Sequence, residues 1–270
     1  MRIRSPAVAG LFYESDARHL RQHIASLLDS VDEQLRPFPR ALVVPHAGYI
    51  YSGRIAAEAY ARLRHHERPV KRVALFGPAH RVYLEGMAVP SVDSFETPLG
   101  NIALDRSAID HLQQLEGVSV SDAAHRDEHS LEVQLPFLQT VLEGFSLVPV
   151  VVGYSDAGAV ARAMEALWQC PDTLLVVSTD LSHFHSYAQA RNLDDATCQR
   201  ILARERRLSG EQACGAGALN GLLTTELSQG LDIELIDQCN SGDTAGDRER
   251  VVGYACLLYT SDAADDLYTV

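Results

Sequence analysis

The chain predicts an α/β fold in which a mixed or mostly parallel central sheet is flanked by helices. Short apolar runs rich in β-branched residues recur at 41–44, 73–76, 145–154 and 174–177, long enough for buried strands and too short for helices. Segments with apolar residues at helical spacing lie between them. Three of the runs also break abruptly into ligand-type side chains, which is how an open α/β sheet delivers functional groups to the carboxyl ends of its strands.

Taken in order, residues 1–13 form an apolar arm too short to be a domain and expected to pack on the sheet. Ser15 or Asp16 caps a helix whose apolar positions are Leu20, Ile24, Leu27, Leu28 and Val31. Ala41–Val44 is a strand that stops at Pro45, because Pro cannot donate to a ladder, and His46 follows at its carboxyl end. A helix over 53–63 and a strand over 73–76 complete a parallel crossover unit. The second strand breaks at Gly77-Pro78 and reaches His80. Residues 82–104 read as a loop and hairpin insertion, and Asp105 caps a helix carrying Ile109, Leu112 and Leu115.

Residues 127–142 are expected to be helical, kinked or restarted at Pro136. A strand over 145–154, a helix over 156–168 and a strand ending near Thr179 follow; that strand runs into Asp180, His183 and His185. Further helices are expected at 187–206 and 210–228, the second opened by Ser209 and Gln212 at capping-box spacing. A strand at 233–237, a loop at 239–243 and a final strand from Val251 end a single domain over 1–256. Residues 257–270 turn abruptly acidic and resemble translated sequencing-adapter DNA, so they read as a non-native tail.

Composition excludes several function classes. Of 270 residues, 46% are apolar, which supports a substantial core. The net charge is −13 and the basic residues are scattered, so no DNA-binding footprint is visible. No apolar stretch approaches a membrane span and the first residues lack a signal peptide's hydrophobic region, so a cytoplasmic location is expected, with no membrane partner. The five cysteines form no C-x-x-C, which argues against a disulfide framework or a zinc knuckle. Cys170, Cys198, Cys214 and Cys256 read as small buried apolar residues, whereas Cys239 sits in a polar, Gly-containing stretch where a thiolate could act as ligand or nucleophile.

His46 and His80, each just past a strand end, are either a metal pair or two hydrogen-bonded structural histidines. Asp180 and His183 bring a carboxylate and an imidazole into one turn, suited to general acid–base work or to capping a helix. Glu128, His129 and Glu132 share helical spacing, but Glu-His-Ser-Leu-Glu is not a zincin motif; His129 is the stronger site candidate and Glu132 the weaker.

Seven segments, in order, resemble the Memo family: Arg4–Tyr13, Pro45–Tyr49 with Tyr51–Gly53, Gly77–His80, Thr97–Gly100, Glu128–Glu132, Ser178–His183 and Asn240–Asp243. The resemblance covers roughly residues 4–256 and implies the fold of class III extradiol ring-cleaving dioxygenases. It further implies that His46, His80 and Cys239 are metal ligands, with Cys239 where the dioxygenases use a glutamate, and that His183 serves as acid/base with Asp180 lining the pocket. Iron or copper is the implied metal, and a thiolate in place of a carboxylate casts doubt on ring cleavage. The partner expectations are a radical SAM enzyme, beside which the protein modifies a small molecule or RNA, and an unknown small molecule or peptide as ligand. The rival expectations are a non-catalytic binding module, a true extradiol dioxygenase, and metal-independent hydrolysis by the Cys239 thiol with His183.

Overall fold

The structure, a computed structural model, describes residues 2–32, 37–64 and 69–261. The arm opens with β1 (Ile3–Arg4) and leads to α1 (Ala17–Asp29), whose first N–H groups are capped by the Asp16 carboxylate and whose Leu20, Ile24 and Leu28 are buried. Then come β2 (Pro39–Val44), α2 (Tyr49–Tyr60) with a 3₁₀ turn at Ala61–Leu63, and β3 (Arg72–Pro78). The expected insertion holds β4 (Met87–Val89), β5 (Ser94–Thr97) and β6 (Gly100–Ala103). Strands β5 and β6 form the hairpin, and β1 adds to it in parallel to make a separate three-stranded sheet. Next are α3 (Arg106–Leu112), β7 (Val118–Val120), α4 (Asp122–Arg126), α5 (Leu135–Val141), β8 (Ser146–Val152) and α6 (Ala157–Trp168). The last third comprises β9 (Thr173–Ser178), β10 (His183–His185), α7 (Tyr187–Leu202), α8 (Ala216–Thr224), α9 (Glu226–Gln229), β11 (Asp232–Asn240) and β12 (Val251–Thr260).

The large sheet has the order β10-β12-β2-β9-β3-β8-β4-β7, with β11 also paired to β12. Its centre, β2-β9-β3-β8, is parallel throughout, and the β12–β2 and β4–β8 pairings are antiparallel, so the sheet is mixed. The central strands are almost wholly apolar and buried, as strands covered on both faces must be. Because β2, β9 and β3 are neighbours running the same way, the residues just past their ends meet at one rim. At the opposite end of β2, the buried Trp168 donates its indole N–H to the Arg40 carbonyl at 3.0 Å.

Four expectations change. The 127–142 helix is replaced by a turn, a 3₁₀ segment (Glu132–Gln134) and α5, with Pro136 in the first turn of α5, where its missing N–H costs nothing. Helix α8 begins only at Ala216, because Ser209–Gly215 form turns instead. Cys239 and Asn240 belong to β11 and not to a loop, since pairing with Tyr254 and Gly253 carries the ladder past Asp237. The final strand runs through Leu257, Leu258 and Tyr259, all fully buried, to Thr260, so the expected boundary at 256 falls inside an element; residues 262–270 of the expected tail lie outside the described residues. No described helix is long and apolar enough to cross a membrane.

Candidate metal centre

His46, His80 and His129 each offer one ring nitrogen, and these nitrogens lie within 4.8 Å of one another. The rings of His80 and His129 stack at 4.8 Å between centroids, while His46 meets them edge-on at 5.1 and 5.4 Å. Each is delivered differently. His46 follows the Pro45 break after β2, and its backbone N–H donates to the Asp180 carboxylate at 2.7 Å, tying the ends of β2 and β9 together. The β3 end reaches His80, whose backbone N–H and Nδ1 both bond to the Glu128 carboxylate, at 2.6 and 2.9 Å. Glu128 also accepts the Ser130 N–H at 2.9 Å, so one carboxylate holds His80 and shapes the turn that presents His129.

The N-terminal arm closes the back of this turn. Glu132, fully buried, accepts from the Arg4 guanidinium and from Ala7 N–H (2.7 Å) at one oxygen, and from Val8 N–H (2.9 Å) and the Tyr13 hydroxyl (2.6 Å) at the other. Arg4 further donates to the carbonyls of His125 and Glu128. The arm thus clamped places the Phe12 ring 5.0 Å from that of His129, and the Phe12 carbonyl accepts the Tyr49 N–H at 2.7 Å. A Cβ on Gly48 would lie 3.4 Å from this carbonyl, in van der Waals contact with the arm.

The electrostatics favour cation binding. Burial, followed by the charge of His80, pushes the pKa of His46 down to about 3. Burial, followed by the charge of His46, pushes that of His129 down to about 4. Both rings are therefore neutral near pH 7 and offer lone pairs. Burial alone would raise Glu128, but its bonds from His80 and Ser130 hold it down to about 2, so it is a carboxylate that can only accept. His129 Nδ1 is buried without a hydrogen bond and lies 3.4 Å from Glu128 Oε1. Three converging imidazoles, two of them held neutral by burial, are a donor set that a transition-metal ion fits.

The remaining expected site residues fall into two groups. Asp180 is buried beside the cluster, with Oδ2 3.9 Å from His46 Nε2, and burial raises its pKa. His183 stands in β10, close enough for its charge to bear on His46 and Asp180. Cys239 is not brought into the histidine group. It is held in β11 opposite Tyr254 and lines a polar cavity of about 460 Å³ with Arg54, Arg191 and Asp194; burial pushes its thiol up to about 12.

The cysteine that does reach the cluster is Cys214, expected to be a core residue. Its Sγ lies 3.3 Å from His46 Nε2 and accepts the Asp180 N–H at 3.3 Å; its own N–H donates to the Asp180 carbonyl at 3.2 Å. The next residue, Gly215, donates to Thr179 Oγ1 at 2.8 Å, and a Cβ there would sit 2.6 Å from Thr179 Cβ. That close approach pins Cys214 against the β9 end. The signal lay in Cys-Gly-Ala-Gly, whose glycines permit such an approach before a helix start.

A family model for Memo-like proteins matches residues 4–258. The chain belongs to the Memo family. Among relatives of this Memo-family chain, a MEMO1 family protein of Aquifex aeolicus is 35% identical, covering 96% of this chain and 100% of that one. A MEMO1 family protein of Methanosarcina barkeri is 34% identical, covering 95% and 99%. A crystal structure of an uncharacterized Escherichia coli protein is similar with a TM-score of 0.48 at 14% identity, covering 79% of the Memo-family chain and 98% of that one.

Proposed function

We propose that this Memo-family protein holds a redox-active transition-metal ion, iron or copper, with His46, His80 and His129, and acts on a small molecule or peptide at that rim. The observation that carries the reading is the convergence of three imidazole nitrogens within 4.8 Å, two of the rings held neutral by burial. Imidazole suits iron, copper and zinc alike, and the Cys214 sulfur beside His46 adds a soft donor that favours copper or iron redox chemistry over calcium- or magnesium-type sites. When bound, such an ion supplies one-electron chemistry.

The chain's own groups do the rest. Glu128 fixes the His80 ring, and Asp180 holds the backbone of His46. Asp180 and His183, within electrostatic reach of each other, are the groups to hold and pass a proton beside the cluster. Cys239, which lines a separate polar cavity with Arg54 and Asp194, takes no part.

Anaerobic metal analysis of purified protein tests this, beside His46→Ala, His129→Ala and Cys239→Ser variants. Near-stoichiometric iron or copper, lost in both histidine variants and kept in Cys239→Ser, is the expected result. Zinc alone would refute the redox reading. Protein unable to take up any ion would refute the metal site and favour a binding module.

A further inference from the structure

Which nitrogen of His46 carries its proton follows from counting hydrogens around Ser178, the last residue of β9. Its hydroxyl has three neighbours: the Ser130 carbonyl at 2.6 Å, Gln134 Nε2 at 2.8 Å and His46 Nδ1 at 2.9 Å. A hydroxyl owns one proton and can accept twice. The Ser130 carbonyl can only accept and is the shortest contact, so the Ser178 proton goes there.

The orientation of Gln134 is fixed independently. Its Nε2 also reaches the Pro45 carbonyl at 2.8 Å, which can only accept, and its Oε1 lies 2.8 Å from the Tyr60 hydroxyl. The amide therefore points its NH₂ at Pro45 and Ser178. With its proton committed and one lone pair taken by Gln134, Ser178 Oγ has only an acceptor position left for His46 Nδ1. A bare Nδ1 would set two lone pairs against each other in a site where every partner is buried.

From this we infer that Ser178, oriented by Gln134 and Tyr60, is a positioning residue that holds His46 as the Nδ1–H tautomer, leaving Nε2 bare toward His80, His129 and Cys214. The inference rests on the proposed metal site for its purpose, since Nε2 then needs no proton transfer before it can ligate. It does not rest on that site for its truth. Glu128 performs the same task for His80 by accepting from its Nδ1. Partners outside the ligand set thus orient both rings, the arrangement that metal-binding histidines require. Ser178, Gln134 and Tyr60 lie on three different elements, so the relay also couples the β9 end to the 3₁₀ segment before α5 and to α2.

The test is long-range ¹H–¹⁵N correlation on metal-free, ¹⁵N-labelled protein near pH 7, with His46 assigned by comparison with His46→Ala. A protonated Nδ1 and a bare Nε2 on His46 are expected. A protonated Nε2 in the wild-type protein would overturn the inference whatever the metal analysis gives. Ser178→Ala is expected to lose the fixed Nδ1–H pattern and to weaken iron or copper binding roughly 10- to 100-fold. An unchanged tautomer in a folded Ser178→Ala protein would also overturn it. If wild-type protein shows the expected tautomer but binds no ion, the metal reading fails while the Ser178 assignment stands. Should Ser178→Ala not fold, the wild-type spectrum alone decides.

Discussion

Replacing Glu132 with Gln changes three atoms and should cost more stability than most core truncations. Each carboxylate oxygen accepts two donors: Arg4 and Ala7 N–H at one, Val8 N–H and the Tyr13 hydroxyl at the other. An amide keeps one acceptor and turns the other position into a donor, so either orientation sets an NH₂ group against two donors. The less costly orientation keeps the carbonyl at Arg4, lets the Tyr13 hydroxyl rotate to accept, and strands the Val8 N–H. A buried unpaired N–H costs about 1–3 kcal/mol. The Arg4 guanidinium, also buried, meanwhile loses its counter-charge, and breaking one side of a buried ion pair costs about 3–5 kcal/mol. The sum should not fall below about 4 kcal/mol. Urea unfolding followed by Trp168 emission would read it as a lower midpoint at unchanged slope. Tyr13→Phe, which removes one donor and leaves the ion pair, should cost only about 1.5 kcal/mol. A Glu132→Gln loss below about 1 kcal/mol, or one equal to that of Tyr13→Phe, would refute the view that this carboxylate clamps the arm.

Other predictions follow from the same contacts. Cys214→Ser should weaken iron or copper uptake while Cys239→Ser leaves it intact, since only Cys214 lies beside His46; a competition titration with a metal indicator separates the two. Gly253→Ala would place a Cβ 1.9 Å from Asp194 Oδ2, the carboxylate that accepts the Ser182 N–H, and should lower stability by roughly 1–3 kcal/mol with local exchange at 181–183. Metal-free protein should lose stability as pH falls from about 6.5 to about 4. Burial lowers buried His125 to about 4 in the folded state, so the unfolded chain binds the extra proton across that window; stability is complete above it. The His125 share is on the order of 3 kcal/mol, and His125→Phe should flatten the slope measured by urea unfolding at several pH values.

The strands that end at His46 and His80, and the one that ends before Asp180, were legible because buried parallel strands announce themselves as unbroken β-branched runs and proline marks two of the stops. The Asp105 cap, and the Asp16 cap as one of two neighbouring candidates, were legible for an equally local reason: a carboxylate before an apolar-periodic stretch. His129 was legible as a site candidate but not as a third imidazole beside His46 and His80, and Cys214 read as a core residue, because both lie in segments whose helical spacing is overridden by contacts from distant residues. Glu128 bends one segment through its bonds to His80, and Thr179 holds the other through Gly215. Cys239 misled for the converse reason, since polar loop composition there conceals a strand defined only by its partner β12.

The single tryptophan has a practical consequence for work on the metal. Trp168 anchors to Arg40 at the start of β2, while His46 lies beyond its other end, six residues and roughly 20 Å of strand away. The indole thus sits at the end of β2 away from the rim. Its emission should register the collapse of the sheet, so one native chromophore placed away from the metal can follow unfolding.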